Sequence, residues 1–278
     1  MSTTASTTEN SAANSGTPAA AKTNTIDKMF LRVAKILTFA GEQPLTNATG
    51  FFYLHDDFLY LVTARHVVLN ESAQHRPDRL QLSLHSNAAN LEQRSDLSIP
   101  LYRDGMTQWW QHPKHGGTAD MVAVSINDPQ VLTSHFVDTF RRDDILNRDN
   151  VLPLGQNVLI LGFPLGFHDT LHNLPIVRSA TIASSFSHPF KGEQYFLTDA
   201  RLHRGMSGSP VIAKIPGQPD VAGKRESQWR LLGIHSSALD VSDRDPDEDE
   251  RLALNMTWYA SLIPEMLPAR AARRRLSK

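Results

Sequence analysis

One short segment, HRGMSGSPVI at residues 203–212, has the residue types of a nucleophilic site. Ser207 lies between Gly205 and Gly208, and glycine permits backbone angles that other residues resist. A turn of this kind can aim two backbone N–H groups at one point, which is the arrangement that stabilises a developing oxyanion. A glycine-serine turn between two strands has the same composition, so the segment alone does not decide between the two interpretations.

A serine nucleophile needs a general base, and the base needs a carboxylate that orients it. Among the twelve histidines, His66 is the informative candidate because it ends the strand-like run LVTARHVV. Asp120 precedes the apolar run MVAVSI and could orient that base. A lone histidine is more often a structural or surface group, and an aspartate before a strand is commonly a turn residue. The partners of these two residues therefore decide their role.

Two histidine pairs have spacings that could bind zinc on a suitable scaffold, namely His112 with His115 and His168 with His172. Neither pair has an identifiable third and fourth ligand, so surface histidines are the preferred interpretation. The alternating aspartates at 243–249 imitate a calcium loop but lack the glycine at its sixth position. We therefore predict neither a metal nor another cofactor.

The elements that must position these residues are predicted to be short strands. Runs such as FLRVAKILTF, FLYLVT, QNVLILGFP and QWRLLGIHSS are typical of strands joined by turns. Residues 128–147 differ, because apolar residues recur there at roughly helical spacing. Two groups of about six strands, separated by this helical linker, predict an all-β fold of two six-stranded antiparallel barrels. A cleft between two such barrels is a natural place for a site.

The predicted domain organisation places the candidate base and acid in one barrel and the candidate nucleophile in the other. The first residues are rich in serine, threonine and alanine, and have too few large apolar groups to offset the entropy of ordering. In chain order, the predicted units are a disordered segment at 1–27, an N-terminal barrel at 28–127, a helical linker at 128–150, a C-terminal barrel at 151–262, and a C-terminal helix with a basic tail at 263–278.

Composition excludes several classes of function. The chain has no cysteine, which excludes disulfides, thiolate nucleophiles and cysteine-ligated metals. The formal net charge of −1 gives no overall basic field, so nucleic acid is not an expected partner. The acidic segment at 240–251 and the arginine-rich C-terminus are interpreted as a solvated loop and tail. No run is long and apolar enough for a membrane span or a secretory signal, so no membrane association and a cytoplasmic location are expected.

Three segments in the order TARHV, ADMVAV and RGMSGSPV resemble the trypsin-like, chymotrypsin-fold serine peptidases. That family has the same chain order of histidine, aspartate and serine. The segments LILGFPLG, TDARLHRGMSGSP and LLGIHSS are most similar to the bacterial, disulfide-free branch, which contains the Deg/HtrA-type proteases and the glutamyl endopeptidases. The resemblance covers roughly residues 28–267. We expect no PDZ domain in this chain.

The resemblance implies a role for each matching residue. Ser207 matches the nucleophile, His66 the general base and acid, and Asp120 the carboxylate that orients the base. The backbone N–H groups of Gly205 and Ser207 match the oxyanion hole. The residues that match the substrate-pairing strand and the primary specificity pocket are Arg201, Ser236, Ser237, Ala238 and Thr257.

Four residues depart from the family pattern. Met206 replaces the aspartate with which secretory members bind a freed N-terminus, so that zymogen switch is not expected. Val122 replaces an alanine and implies tighter surroundings for the acid, while Ser209 replaces the commoner second glycine. Arg201 replaces a small or acidic residue at the base of the pocket. If Arg201 points inward it should favour acidic or polar side chains, whereas it could equally turn outward onto the loop at 240–251.

These observations predict a serine endopeptidase that cleaves a protein or peptide substrate through an acyl-enzyme. The alternative is a trypsin-like module that is activated by a protein partner, or is catalytically silent and acts by binding. A zinc-dependent hydrolase built on the histidine pairs is the third hypothesis, and the missing ligands disfavour it.

Overall fold

The computed structural model describes residues 26–126, 128, 130–219, 225–238 and 253–268. The first 25 residues, the acidic loop at 240–251 and the basic tail after residue 268 lie outside these described ranges. The predictions made for those three segments are therefore not addressed by the structure.

The N-terminal half forms one antiparallel sheet with the strand order β5-β4-β1-β2-β3-β9-β8. Its ends meet beside β5 and β8, where the N–H of Gln108 donates to the carbonyl of Leu101 at 2.9 Å, and this contact closes the sheet into a barrel. A separate ribbon pairs β6 with β7. The strands are β1 (Val33–Ala40), β2 (Gln43–His55), β3 (Phe58–Thr63), β4 (Arg79–His85), β5 (Arg94–Pro100), β6 (Tyr102–Arg103), β7 (Met106–Thr107), β8 (Trp109–Trp110) and β9 (Val122–Ile126).

The C-terminal half forms a second antiparallel sheet with the order β11-β10-β13-β14-β15-β12. An antiparallel bridge between Ile182 and Thr198 joins its two edge strands, and the N–H of Ala183 donates to the carbonyl of Leu197 at 2.8 Å. The predicted pair of antiparallel barrels is thus confirmed. The strands are β10 (Asn157–Gly162), β11 (Ile176–Thr181), β12 (Tyr195–Thr198), β13 (Pro210–Pro219), β14 (Arg225–Ala238) and β15 (Asn255–Tyr259).

Helices are short throughout the described residues. The α-helices are α1 (Arg65–Val68), α2 (Val131–Ser134) and α3 (Leu262–Met266), and the 3-10 turns are Lys28–Arg32, Arg142–Asp144, Pro164–Gly166 and Phe190–Gly192. The third helix begins one residue before the C-terminal segment at 263–278, for which the sequence predicts a helix with a basic tail.

The linker is less helical than its sequence predicts. Among the residues between 128 and 147 that the structure describes, only α2 and one 3-10 turn are helical. The N–H of Phe140 donates to the carbonyl of Phe52 at 2.8 Å, and the N–H of Leu146 donates to the carbonyl of Leu231 at 2.9 Å. The linker therefore pairs with a strand of each barrel, and these tertiary contacts override the local helical spacing.

Alternate residues of β2 face different parts of the core. Phe52 packs in the core of the N-terminal barrel, whereas Phe51 and Tyr53 belong to a cluster that also contains the core residues of the C-terminal barrel. This alternation follows from the two-residue period of a strand, and it makes β2 one of the strands through which the N-terminal barrel packs on its neighbour. Among the described residues, no helix is long and apolar enough to cross a membrane.

Candidate active site

The candidate base and acid lie at adjacent ends of two paired strands. His66 is in α1, directly after β3, and Asp120 shortly precedes β9, which pairs with β3. Oδ2 of Asp120 lies 2.6 Å from Nδ1 of His66, and Oδ1 accepts the backbone N–H of the same histidine at 2.8 Å. With Nδ1 bound to the carboxylate, Nε2 is the ring nitrogen that can accept a proton.

A third group holds the carboxylate of Asp120. The hydroxyl of Ser236, on β14 of the C-terminal barrel, donates to Oδ2 of Asp120 at 2.5 Å. Burial by itself raises the pKa of Asp120, but the hydrogen bonds from His66 and Ser236 outweigh it and hold that pKa below its ordinary value. The carboxylate is therefore charged at neutral pH and can stabilise an imidazolium at His66.

The candidate nucleophile lies in the turn before β13, and its neighbouring peptides are fixed. The carbonyl of Arg204 accepts the N–H of Leu165 at 2.6 Å. Because a trans peptide is planar, its N–H points away from its carbonyl. The N–H of Gly205, which belongs to the same peptide, is thus turned away from Leu165 and donates to no other described residue.

The peptide between Met206 and Ser207 is fixed in the same way. The carbonyl of Met206 accepts the N–H of Ser209 at 2.9 Å, so the N–H of Ser207 points in the opposite direction. That N–H also makes no hydrogen bond to another described residue. The turn thus presents two unused donors, on Gly205 and Ser207, as an oxyanion hole requires.

Backbone conformation and close packing both explain why the turn has glycine at positions 205 and 208. Gly205 has a φ of 92°, and a Cβ there would overlap the carbonyl oxygen of Phe163. Gly208 has a φ of 87°, and a Cβ there would overlap the hydroxyl of Thr63. Since Thr63 ends the strand that leads to His66, the missing side chain at Gly208 lets the nucleophile turn pack against the segment that carries the base.

A continuous path of contacts joins the nucleophile turn to the acid. The N–H of Gly208 donates to the carbonyl of His235 at 2.8 Å, and the N–H of His235 donates to the carbonyl of Ser209 at 2.9 Å. The next residue, Ser236, holds Asp120. The hydroxyl of Ser207 makes no hydrogen bond to another described residue, so the structure connects its turn, rather than its Oγ, to the acid, through His235 and Ser236.

Comparison with family models matches residues 48–215 to the trypsin-like peptidase domain. The chain belongs to the trypsin-like peptidase family. Members of this family are hydrolases of the serine-protease class, and the matched segment includes His66, Asp120 and Ser207. A comparison with curated proteins gives no match.

Solved structures are similar to this trypsin-like peptidase at low sequence identity. The scabies mite inactivated protease paralogue S-I1 is 17% identical with a TM-score of 0.52, and the match covers 90% of this chain and 97% of that one. The serine endoprotease from Yersinia pestis is 13% identical with a TM-score of 0.49. The match covers 85% of this chain, and this chain spans 61% of the length of that one. The active form of the Rv3671c protease from M. tuberculosis is 15% identical with a TM-score of 0.45, and the match covers 90% of this chain and 86% of that one.

Sequence reasoning missed one titratable residue beside the site of this peptidase. His235 is 4% exposed, and Nδ1 of its ring has no hydrogen-bond partner. Burial, and to a lesser degree the positive charge of His66, lower the pKa of His235 to about 3, although Asp120 acts in the opposite direction. The ring is therefore neutral at pH 7. A histidine inside the apolar run LLGIHSS was the available signal.

The predicted pocket residues are not all brought together. Thr257 is fully buried and pairs with His235 across β14 and β15, and its hydroxyl has no partner. Ser237 is exposed, and Ala238 pairs with Asn255. The side chain of Arg201 is exposed, while its carbonyl accepts a hydrogen bond from Nη2 of Arg178 at 2.8 Å.

Met206, which departs from the family pattern, is buried in the core, with 1% of its surface exposed.

The histidine pairs have protein partners in the structure. Nε2 of His112 lies 3.1 Å from Oε2 of Glu265, and Nδ1 of His172 lies 2.8 Å from Oδ2 of Asp169. His112 is also buried, in contrast to the surface position that its sequence context suggested. Within the ranges that the structure describes, no group of three or more metal-binding side chains occurs.

Proposed function

We propose that this peptidase is a serine endopeptidase with Ser207 as nucleophile, His66 as general base and acid, and Asp120 as the orienting carboxylate. The observation that carries the proposal is the double contact of Asp120 with His66, together with the path from Asp120 through Ser236 and His235 to the Ser207 turn. These contacts connect three segments that are far apart in the sequence, at one junction of the two barrels.

The proposed reaction has two stages. Nε2 of His66 takes the proton of the Ser207 hydroxyl while Oγ forms a bond to the peptide carbonyl carbon, and the carbonyl oxygen becomes an oxyanion. The N–H groups of Gly205 and Ser207 donate to that oxygen. The C–N bond then breaks, His66 protonates the departing amine, and an acyl-enzyme remains. Water, deprotonated by His66, then attacks the ester carbonyl carbon. The bond between that carbon and Oγ breaks, His66 returns the proton to Oγ, and the acid and the free serine are released.

The proposed substrate is an extended peptide that pairs with residues 236–238 of β14. The pairing of β13 with β14 begins at Pro210 opposite Ile234, and the register of β14 with β15 is interrupted between His235 and Ala238. The backbone from Ser236 onward therefore extends beyond the start of β13, next to the Ser207 turn. A strand edge of this kind can bind a peptide through main-chain hydrogen bonds.

Hydrolysis of a quenched fluorescent peptide library by purified protein tests this proposal. We expect Ser207→Ala to lower kcat by about 10⁴-fold or more. Ser209→Ala is the matched control, because Ser209 is buried two residues away and should retain most of the activity. Equal hydrolysis by Ser207→Ala and the parent protein would refute the assignment, and activity that depends on an added protein would favour the partner-activated alternative.

A further inference from the structure

Thr49 connects the N-terminal barrel to the nucleophile turn through its side chain and its backbone. It lies on β2 and is fully buried. Its hydroxyl donates to the carbonyl of Gly205 at 2.7 Å and accepts the N–H of Phe163 at 3.0 Å. Its backbone N–H donates to the carbonyl of Ser207 at 3.0 Å. Thr49 therefore binds two carbonyls of the turn, those of Gly205 and Ser207.

The position of the hydroxyl matters because of the order of peptides in the turn. The peptides before Gly205 and before Ser207 carry the two proposed oxyanion donors, and the peptide between them carries the carbonyl of Gly205. The first is fixed by Leu165 and the last by Ser209, through carbonyls that accept hydrogen bonds at 2.6 and 2.9 Å. The side chain of Thr49 is the group that holds the carbonyl of the middle peptide.

Rotation of the middle peptide would change the direction of one donor relative to the other. Gly205 has a φ of 92°, where it has the backbone freedom of glycine, so the turn has little intrinsic resistance to that rotation. The N–H of Met206, on the same peptide, donates to the carbonyl of His203 at 3.1 Å. The hydrogen bond from the buried Thr49 hydroxyl adds resistance at the carbonyl end, because breaking it would leave the hydroxyl, the carbonyl or both unpaired away from water. An oxyanion hole works only when its donors are fixed in advance.

We propose that the hydroxyl of Thr49 is a positioning group for the oxyanion hole, acting through the carbonyl of Gly205. The inference rests on the proposed function of the Ser207 site. Thr49 touches no reacting atom in this assignment, and its effect is to keep the N–H groups of Gly205 and Ser207 directed at one acceptor. Because the hydroxyl also binds Phe163, it ties the turn to the end of β10, and so joins β2, β10 and the turn at one atom.

Two substitutions of Thr49 separate the hydroxyl from the shape of the side chain. Thr49→Val keeps the volume and removes the hydroxyl, whereas Thr49→Ser keeps the hydroxyl and removes the methyl group. Thr38→Val is the matched control, because Thr38 is also fully buried in the N-terminal barrel and its hydroxyl bonds only to Thr46, away from the turn. Should Thr49→Val not fold, Thr49→Ala makes the same deletion with a smaller side chain.

The first measurement is the steady-state kinetics of each variant on one peptide substrate. We expect Thr49→Val to lower kcat by about 10- to 100-fold with less than a threefold change in KM. The reason is that the oxyanion hole stabilises the transition state rather than the bound substrate. Thr49→Ser and Thr38→Val should stay within threefold of the parent kcat. A loss in Thr49→Val no greater than in Thr38→Val, or an equal loss in Thr49→Ser, would overturn the proposal.

The second measurement does not depend on activity. Backbone amide hydrogen exchange at residues 203–209 is followed in the Ser207→Ala background, with and without Thr49→Val. We expect exchange in this segment to be at least about tenfold faster when the hydroxyl is removed, and unchanged with Thr49→Ser. Unchanged exchange in Thr49→Val would refute the positioning role even if hydrolysis were lost, whereas faster exchange in a protein that proves inactive would uphold it and place the failure in the proposed function.

Discussion

Asp120 binds His66 at two atoms, with 2.6 Å between Oδ2 and Nδ1 and 2.8 Å between Oδ1 and the backbone nitrogen. A second pair in the same chain, Asp169 and His172, has the same two contacts at 2.8 and 3.2 Å. The first pair is held by Ser236 as well, and its aspartate side chain is 24% exposed against 43% in the second. The chain thus contains its own control for an Asp–His contact outside the site.

Replacement of the acid should remove most of the activity without unfolding the protein. We expect Asp120→Asn to lower kcat by about 10⁴-fold, because an amide cannot stabilise the imidazolium and favours the wrong tautomer of His66. Asp169→Asn should leave kcat within about twofold, since surface ion pairs contribute little. Steady-state kinetics with a thermal melt checks both variants, and a loss below tenfold in Asp120→Asn would argue against its role.

Addition of one methyl group to the turn at Gly205, the proposed oxyanion hole, should impair catalysis more than stability. We expect Gly205→Ala to lower kcat by about 10²- to 10³-fold, because a Cβ would overlap the carbonyl of Phe163 and displace the Gly205 N–H. Gly192→Ala is the control, since Gly192 has a φ of 81° and open space around it. If Gly205→Ala and Gly192→Ala lose the same activity and have the same melting temperature, backbone strain, rather than the position of the Gly205 N–H, causes the loss.

Acid should destabilise the protein through His235. Its pKa is lowered from 6.5 to about 3 in the folded state. Between these values the unfolded chain binds a proton at this residue and the folded chain does not, so stability is fully present above pH 6.5 and falls as the pH decreases. At pH 4.5 the loss amounts to about 2 to 3 kcal/mol, at about 1.36 kcal/mol per pH unit.

Urea unfolding of His235→Val at pH 7 and pH 4.5 tests this dependence. We expect the difference in free energy of unfolding between the two pH values to be smaller in His235→Val than in the parent protein. His188→Val, at an exposed position, serves as the comparison and should behave like the parent. An unchanged pH dependence in His235→Val would show that other groups cause the acid sensitivity.

The exposed side chain of Arg201 predicts that this residue does not select the substrate side chain before the cleaved bond. We expect Arg201→Ala to cleave a peptide library with the same preference as the parent protein. Thr257→Val is the contrasting variant, because the buried hydroxyl of Thr257 lies opposite His235 beside the site, and we expect it to change the preference. A loss of preference for acidic residues in Arg201→Ala would restore the inward-pointing interpretation.

The sequence anticipated the two barrels because strand periodicity is local and repeats along most of the chain. It also singled out His66 and Asp120, which the structure places in contact, because both end or begin apolar runs. It overstated the helical content of the linker, since the pairing of Phe140 and Leu146 with distant strands is not encoded nearby. It missed Thr49 for the same reason, as this residue and Gly205 are 156 positions apart.

Covalent labelling with a fluorophosphonate probe tests whether Ser207 is an activated nucleophile. The probe reacts with a serine that a neighbouring base activates, and peptide mapping by mass spectrometry then identifies the modified residue. We expect stoichiometric labelling of Ser207 in the purified protein without a partner, and none in His66→Ala. Labelling at another residue, or no labelling of the folded protein with or without added partners, would contradict this expectation.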